Sequence, residues 1–198
     1  MSTGLRERKK AATRAALHRA ALELVAVRGL DGVVVDDIAE VVGVSPRTFF
    51  NYFSTKDEAV LGFDADELGE LAAQVAARPA EESPVQAVRA VARTQAEGMA
   101  GDVDLWRLRM RVVDTHPVLL ARLMAAFGHS EQAMAAVVAG RTGGDPHDLY
   151  PQLLAGAAAA ALRSALHHWL TTDFAAELPA LVDEAWTSLA AGLPVPSA

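Results

Sequence analysis

Residues Val35 to Lys56 read VDDIAEVVGVSPRTFFNYFSTK, a stretch that encodes two short helices joined by a tight glycine turn. Ile38, Ala39 and Val42 recur at helical spacing and give the first helix one apolar face, with Asp36, Asp37 and Glu40 lying off it. Gly43 ends that helix, and Val44 packs in the turn. Ser45 stands where an N-cap is needed, and Pro46 takes the first helical position, where its missing N–H does no harm. The second helix is therefore predicted to start at Pro46. On a helical wheel Phe49 and Phe53 share one face, whereas Arg47, Thr48, Asn51 and Tyr52 gather nearly opposite.

The polar set consists of side chains suited to nucleic acid. Arg forms paired hydrogen bonds with guanine, Asn does so with adenine, and Thr offers a hydroxyl and a methyl to thymine. Tyr52 and the Ser45 hydroxyl are donors suited to phosphate oxygens, which fix position without reading sequence. Lys56 adds a charge in the first turn of the following helix, where Ser54 and Asp57 read as an S-x-x-D cap and backbone N–H groups favour a phosphate. The pattern predicts an element that enters the DNA major groove. Plain packing with a solvated polar face is the competing reading, but caps, turn, polar face and basic flank all agree on the first. Phe49, Phe53, Ile38 and Val42 are predicted core.

Gly29-Leu30-Asp31, Val35-Asp36-Asp37-Ile38-Ala39, Gly43-Val44-Ser45 and Thr48-Phe49-Phe50-Asn51-Tyr52-Phe53 with Lys56-Asp57 together resemble the N-terminal domain of TetR-type transcriptional repressors, over about Arg6 to Gly62. The resemblance implies an all-α homodimer. Each chain would carry an N-terminal three-helix helix-turn-helix domain, residues 1–56, and a larger C-terminal helical domain for ligand binding and dimerisation, residues 57–198. Two positions depart from the family pattern. Val34 replaces the usual capping Thr, and Phe50 replaces a common Tyr, leaving a ring for contact with sugar or thymine methyl.

Charge follows the same division. Met1 to Lys56 carry nine Lys and Arg against six Asp and Glu, net +3, whereas Asp57 to Ala198 carry nine against nineteen, net −10. A basic head on an acidic body is compatible with nucleic-acid binding although the whole chain has a net charge of −7. Arg6, Arg8, Lys9, Lys10 and Arg14 precede or open the first helix, as an arm along phosphates or in the minor groove, or as a solvated terminus. Leu17, Ala21, Leu24 and Val25 give that helix its apolar positions before Gly29.

At 198 residues the chain has length for both domains. It lacks cysteine, which excludes disulfides, thiolate metal sites and thiol nucleophiles and fits a cytoplasmic protein. Neither a signal peptide nor a transmembrane helix is indicated. The remaining punctuation predicts helices only: one from Thr55 to about Ala77, one opened by the Ser83-Pro84-Val85-Gln86 capping box and running to Met99, and one from Asp102 to His116. Three more are expected, from Val118 to about Ala139 before Gly140, from Asp145-Pro146 to Leu170, and from Pro179 to Gly192.

Ala155, Gly156, Ala158, Ala159 and Leu162, extended by Leu166, Trp169 and Leu170, offer a smooth helical face for a second protomer. Two recognition helices roughly 34 Å apart would match successive major-groove faces of a palindromic operator. Met99, Trp106, Met110, Leu120, Leu123, Met124, Phe127 and Trp169 are candidate walls of an apolar inducer cavity, although such residues more often simply fill a core. Arg107, Arg109 and Arg111 form a local basic set that is most simply solvated or paired, with one at a pocket mouth able to hold an anion. Arg109 to Arg122, Leu153-Leu154-Ala155 and Ala161-Leu162-Arg163 through Leu170 are similar to the C-terminal domain of repressors grouped as binding acyl-CoA-like ligands, the mycofactocin-regulator type. That similarity implies a lipophilic or acyl-CoA-like inducer.

Enzyme signatures are missing: G-x-S-x-G, H-E-x-x-H, a P-loop and the dinucleotide glycine fingerprint do not occur. No cofactor or metal is expected, since adjacent His167 and His168 diverge on a helix. The alternative function is a helical lipid or acyl-ligand carrier with an inactive helix-turn-helix. The two differ at Arg47, Thr48 and Asn51, which carry sequence preference only in a regulator.

Overall fold

The computed structural model describes residues 3–62 and 65–194, which form ten α-helices and no strand among the described residues. They divide into two units, residues 1–64 with 104–124, and residues 65–103 with 125–198. This grouping differs from a single break after Lys56, because a later stretch of chain joins the N-terminal helices.

The first unit contains α1 (Thr3–Arg28), α2 (Val35–Val42), α3 (Pro46–Phe49), α4 (Lys56–Leu61), nearly all of α7 (Val103–Thr115) and the first turns of α8 (Pro117–Thr142). Leu17, Ala21 and Val25 on α1 are buried against Ile38 and Ala39 of α2 and Ala59 and Val60 of α4, and Phe49 and Phe53 complete this core. Leu24 and Val42 lie at its margin, half-buried. α1 stops where predicted: the Gly29 N–H reaches the Val25 carbonyl at 2.8 Å with the backbone at φ +73°.

The helix predicted from Thr55 to Ala77 is not continuous. α4 ends at Gly62, whose φ of +80° is left-handed and whose N–H closes on the Glu58 carbonyl at 2.8 Å. Residues 63 and 64 lie outside the described residues, and helix resumes as α5 (Ala65–Ala76). Periodicity passes smoothly through Gly62 because a left-handed cap leaves no hydrophobic signature.

The second unit contains α5, α6 (Pro84–Met99), the rest of α8, α9 (Leu149–Thr171) and α10 (Leu178–Ala190), with α10 packed on α9 and α6. The predicted capping box opens α6: Ser83 Oγ accepts from Gln86 N–H at 3.3 Å, and Gln86 Oε1 accepts from Ser83 N–H at 2.9 Å. α9 starts later than its Asp-Pro pair suggests. Asp145 instead accepts from His147 N–H at 2.8 Å, Asp148 Oδ2 accepts from Asp145 N–H at 2.9 Å, and Asp148 becomes the N-cap.

α8 does not stop at Gly140 but continues to Thr142, with Gly143 in the left-handed conformation. The extra turn carries Arg141, whose guanidinium gathers the chain around the α5 terminus. Its Nη atoms donate to the carbonyls of Val75, Arg78, Pro79 and Glu82 at 3.4, 3.1, 2.6 and 2.9 Å. These are helix-end and loop acceptors, two of which, Val75 and Pro79, also take a backbone N–H, and a planar donor fork suits such a cluster better than a point charge. Arg89 and Arg93 of α6 likewise both hold Asp183 of α10, which keeps that carboxyl below its ordinary range. Arg141→Ala should therefore lower stability by about 2–4 kcal/mol in urea unfolding. Arg141→Lys should recover less than half of that; full recovery by lysine would show that charge rather than fork geometry matters.

Candidate nucleic-acid interface

The segment quoted at the outset folds as a helix, a left-handed turn and a second, very short helix. Val34 occupies the N-cap of α2 without a side-chain acceptor, and the other half of the box remains: Asp37 Oδ2 accepts from Val34 N–H at 3.0 Å. Arg28 steadies that carboxylate at 3.5 Å. Gly43 takes φ +74°, and Val44 N–H reaches back to the Ala39 carbonyl at 2.9 Å, closing the turn.

Ser45 caps α3 as predicted, accepting from Thr48 N–H at 3.1 Å. Its hydroxyl also lies 2.8 Å from that of Thr48, so one O–H proton is shared within the pair and the other remains free to donate outward. α3 itself is one turn long. Beyond Phe49 the chain tightens, with Asn51 N–H on the Thr48 carbonyl at 3.1 Å and Tyr52 N–H on the Phe49 carbonyl at 2.9 Å. The expected division of faces holds: Phe49 and Phe53 are fully buried, with ring centroids 6.0 Å apart. Ser45, Arg47, Phe50 and Asn51 are exposed, and Thr48 and Tyr52 are half-exposed. Phe50 sets its edge against Phe49 and leaves 55% of its surface free.

Two cations have duties that sequence reasoning missed. Lys56 Nζ donates to the Leu30 and Val33 carbonyls at 2.5 and 2.8 Å, tying down the α1–α2 loop, so one ammonium proton remains for a phosphate. Arg14 lies over the Phe53 ring at 4.0 Å and donates to the Tyr52 carbonyl, clamping α1 to the end of the reading segment. Arg6, Arg8, Lys9 and Lys10 ride exposed on α1, which is helical from Thr3. The cap of α4 is shifted by one residue from the Ser54/Asp57 pair. Thr55 accepts from Glu58 N–H at 3.2 Å, and Glu58 accepts from Ser54 N–H at 2.7 Å. Asp57 is thereby released inward, where it pairs with Arg122 of α8 at 2.9 Å.

Beneath this surface lies a buried polar contact. His18, on the apolar side of α1 beside Leu17 and Ala21, donates through Nδ1 to the Ala59 carbonyl at 2.7 Å and accepts at Nε2 from Arg109 of α7 at 2.8 Å. Burial first, and then the positive charges of Arg109, Arg14 and Arg19, push its pKa down to about 3, so the ring is neutral. Gly62 is required alongside, since a Cβ there would fall 2.6 and 2.7 Å from His18 ring atoms. The sequence signal was a histidine inside the apolar stripe of α1. His116 makes a second link, accepting from Leu30 N–H at 3.2 Å while its Nδ1–H donates to the Val112 carbonyl at 2.7 Å.

The predicted cavity walls fall in both units: Trp106, Met110, Leu120, Leu123 and Met124 in the first, and Met99, Phe127 and Trp169 in the second. Leu123 is buried, whereas its neighbour Met124 is 47% exposed, so the two face apart. Trp106 lies under the Arg109 guanidinium at 4.6 Å, and Trp169 is buried with Phe174 edge-on at 4.6 Å. Trp169 therefore turns into its own unit and does not extend an outer face of α9; Ala155 turns inward too, and Gly156 faces Glu131 of α8. A groove of about 180 Å³ lies between α9 and α10, around Ser164, His168, Leu181 and Glu184. Another, of about 290 Å³, lies between α1 and α7, and neither is lined by any of these eight residues.

A capped turn that holds Arg, Thr and Asn outward on a buried phenylalanine pair is the working part of a helix-turn-helix DNA-binding protein. The chain belongs to the TetR family of transcriptional regulators: residues 17–61 match the bacterial regulatory proteins of the tetR family, and residues 82–194 match the MftR C-terminal domain. The HTH-type transcriptional regulator TcmR of Streptomyces glaucescens is 40% identical over 152 residues, covering 73% of this chain and 67% of its own. The protein described as the mycofactocin biosynthesis transcriptional regulator MftR of Mycobacterium tuberculosis is 30% identical over 186 residues, covering 94% of this chain and 93% of its own. Among solved structures, Thermus thermophilus FadR, a TetR-family repressor in complex with lauroyl-CoA, superposes with a TM-score of 0.55 at 26% identity, covering 93% of this chain and 97% of that one. SmeT of Stenotrophomonas maltophilia shares the fold, with a TM-score of 0.57 at 18% identity over 93% of this chain and 94% of its own. Among the described residues no helix is long and apolar enough to cross a membrane.

The depressed His18 pKa carries a pH signature. Below the ordinary value of 6.5 the unfolded chain takes up a proton that the folded chain refuses until about 3, so this contribution to stability is full above 6.5 and is lost as pH falls through that window. The expected loss is roughly 1 kcal/mol per pH unit. His18→Gln keeps a donor and an acceptor but cannot titrate. Urea unfolding at pH 7 and pH 5 should show a smaller drop for the variant than for the wild type, and equal drops would remove His18 as the cause.

Proposed function

We propose that this regulator is a dimeric, ligand-responsive repressor that binds a palindromic operator with residues 1–56 and uses residues 57–198 for ligand and dimer contacts. It acts in the cytoplasm, without catalysis. The observation that carries the reading is the outward set Arg47, Thr48 and Asn51, positioned by fully buried Phe49 and Phe53 on a turn braced by Ser45 and Arg14. Such a set has the donors and acceptors for base edges, with Ser45, Tyr52 and Lys56 for phosphates and Phe50 for sugar or thymine methyl. One turn of helix contacts few bases, so a second copy about one DNA turn away supplies the remaining specificity. Half-exposed Ala158, Ala159, Leu162 and Leu166 of α9 supply apolar surface for that copy.

The inducer class we favour is a long-chain acyl-CoA. Its support is the match to the MftR C-terminal domain together with the lauroyl-CoA complex of Thermus thermophilus FadR at 26% identity. Within the second unit, Met99, Phe127 and Trp169 are its proposed contacts. Induction then requires the acyl ligand to bind a dimer state whose recognition helices mismatch the groove more tightly than it binds the DNA-bound state.

Selection of bound duplexes from a random pool, followed by titration of the winner with lauroyl-CoA, tests both halves. A palindrome released by the ligand supports the whole reading. A palindrome indifferent to it keeps the operator and rejects the inducer class, and failure to enrich any sequence rejects DNA reading. On the selected operator Arg47→Ala should cost roughly 1–3 kcal/mol of discrimination at one base step. Lys56→Ala should weaken all sequences alike, flatten the salt dependence and also lower thermal stability, because Leu30 and Val33 lose their donor.

A further inference from the structure

The three arginines of α7 have different surroundings. Arg107 pairs with Asp104 at 3.3 Å, and Arg109 donates to His18 at 2.8 Å. The Arg111 guanidinium is exposed and has no hydrogen-bonding or ionic partner among the described residues. It stands at the rim of the 290 Å³ groove between α1 and α7. Val25 and Ala26 of α1, with Gly29 at its end, form one wall, and Leu108 and Val112 of α7, one turn apart, form the other.

The groove exists because its α1 side is small. Gly29 is present for its φ of +73°, and a Cβ there would meet nothing within 4 Å, so the position leaves open space. The polar groups at the far end are already engaged. Thr115 donates to backbone carbonyls of its own helix, while His116 accepts from Leu30 and donates to Val112. A free cation beside an apolar cleft whose other polar groups are satisfied has the recognition chemistry for one kind of molecule: an apolar body with a single carboxylate. At about 290 Å³ the space sits at the small end of ligand sites, which start near 300 Å³, and suits one ring or a short acyl chain.

We propose that the α1–α7 groove is a binding site for a small amphipathic carboxylate, with Arg111 as its anion partner and Val25, Ala26, Leu108 and Val112 as its apolar walls. The site lies in the unit that carries the helix-turn-helix, and its existence does not depend on the inducer proposed above. An occupant touching both α1 and α7 stabilises their pairing by mass action.

The test titrates the full-length protein with phenylacetate and, separately, with its neutral isostere phenylacetamide, following backbone amide resonances and thermal stability. Phenylacetate is expected to shift α1 and α7 amides around Ala26 and Val112 and to raise the melting temperature, with the amide at least about tenfold weaker. Arg111→Gln replaces an exposed, unpartnered side chain, so the fold is retained and phenylacetate affinity should fall at least about tenfold. Ala26→Phe should fill the groove and abolish binding. Absence of binding by the wild type at millimolar phenylacetate, equal binding of acid and amide, or unchanged affinity in Arg111→Gln would each overturn the site.

Discussion

A neutral imidazole in the first unit joins three helices, α1, α4 and α7, through its two ring nitrogens. His18 has one donor and one acceptor, and each is matched: the Ala59 carbonyl takes the first and the Arg109 guanidinium supplies the second. A protonated ring would present two donors, one of them aimed at a cation, which is why burial and Arg109 act in the same direction on its pKa. The constraint spreads outward from there. Gly62 must lack a side chain to lie against the ring, and α4 ends there in a left-handed residue, about two turns after its cap at Thr55. That register turns Asp57 inward toward Arg122 and leaves Lys56 to reach the α1–α2 loop.

The reading surface has almost no stability of its own. A single helical turn is far below the length at which a helix stands alone in water, so α3 exists because Phe49 and Phe53 are buried and because its ends are held. Ser45 holds the front and Arg14 the back. The backbone is thus fixed from behind, and in the base-reading role proposed for Arg47 and Asn51 they would lose only side-chain freedom.

Patterns that depend on neighbours in sequence were legible. The α2 turn, the Ser45 cap, the Pro46 start, the Ser83/Gln86 box and the two faces of the recognition segment all follow from side-chain chemistry within four residues. The α4 and α9 caps were misplaced by one and three residues, because neighbouring Ser, Thr and Asp compete for the same N–H groups; the rest of what escaped depends on partners far along the chain. Gly62 gave no warning of a helix end because its meaning lies in His18, forty-four positions earlier. Gly140 looked like a terminator because nothing local shows that Arg141 beside it captures four carbonyls around the end of α5. Trp169 and Ala155 were assigned to an outer face of α9, yet an Ala-rich helix has no polar stripe to reveal which side is out. The same lack of contrast left the cavity walls unresolved, since Met, Leu and Phe serve a core and a ligand equally well.

The arginines of α7 show how far helical geometry can carry such a problem. Positions two apart differ by about 200°, so Arg109 points away from both Arg107 and Arg111, whereas those two, four apart, lie on nearly the same side. A histidine on the apolar stripe of α1 then selects Arg109 as the inward member. Of the outward pair, Arg107 has Asp104 three residues before it and in reach, a same-face neighbour that neutralises it. Arg111 has Asp114 at the equivalent spacing on its other side, and no ion pair forms, consistent with the weaker geometry when the cation precedes the acid on a helix. A basic run that reads as uniform along the chain thus separates into a half-buried strut, a solvated pair and one uncompensated charge, and of the three only the last has a guanidinium left to offer a ligand.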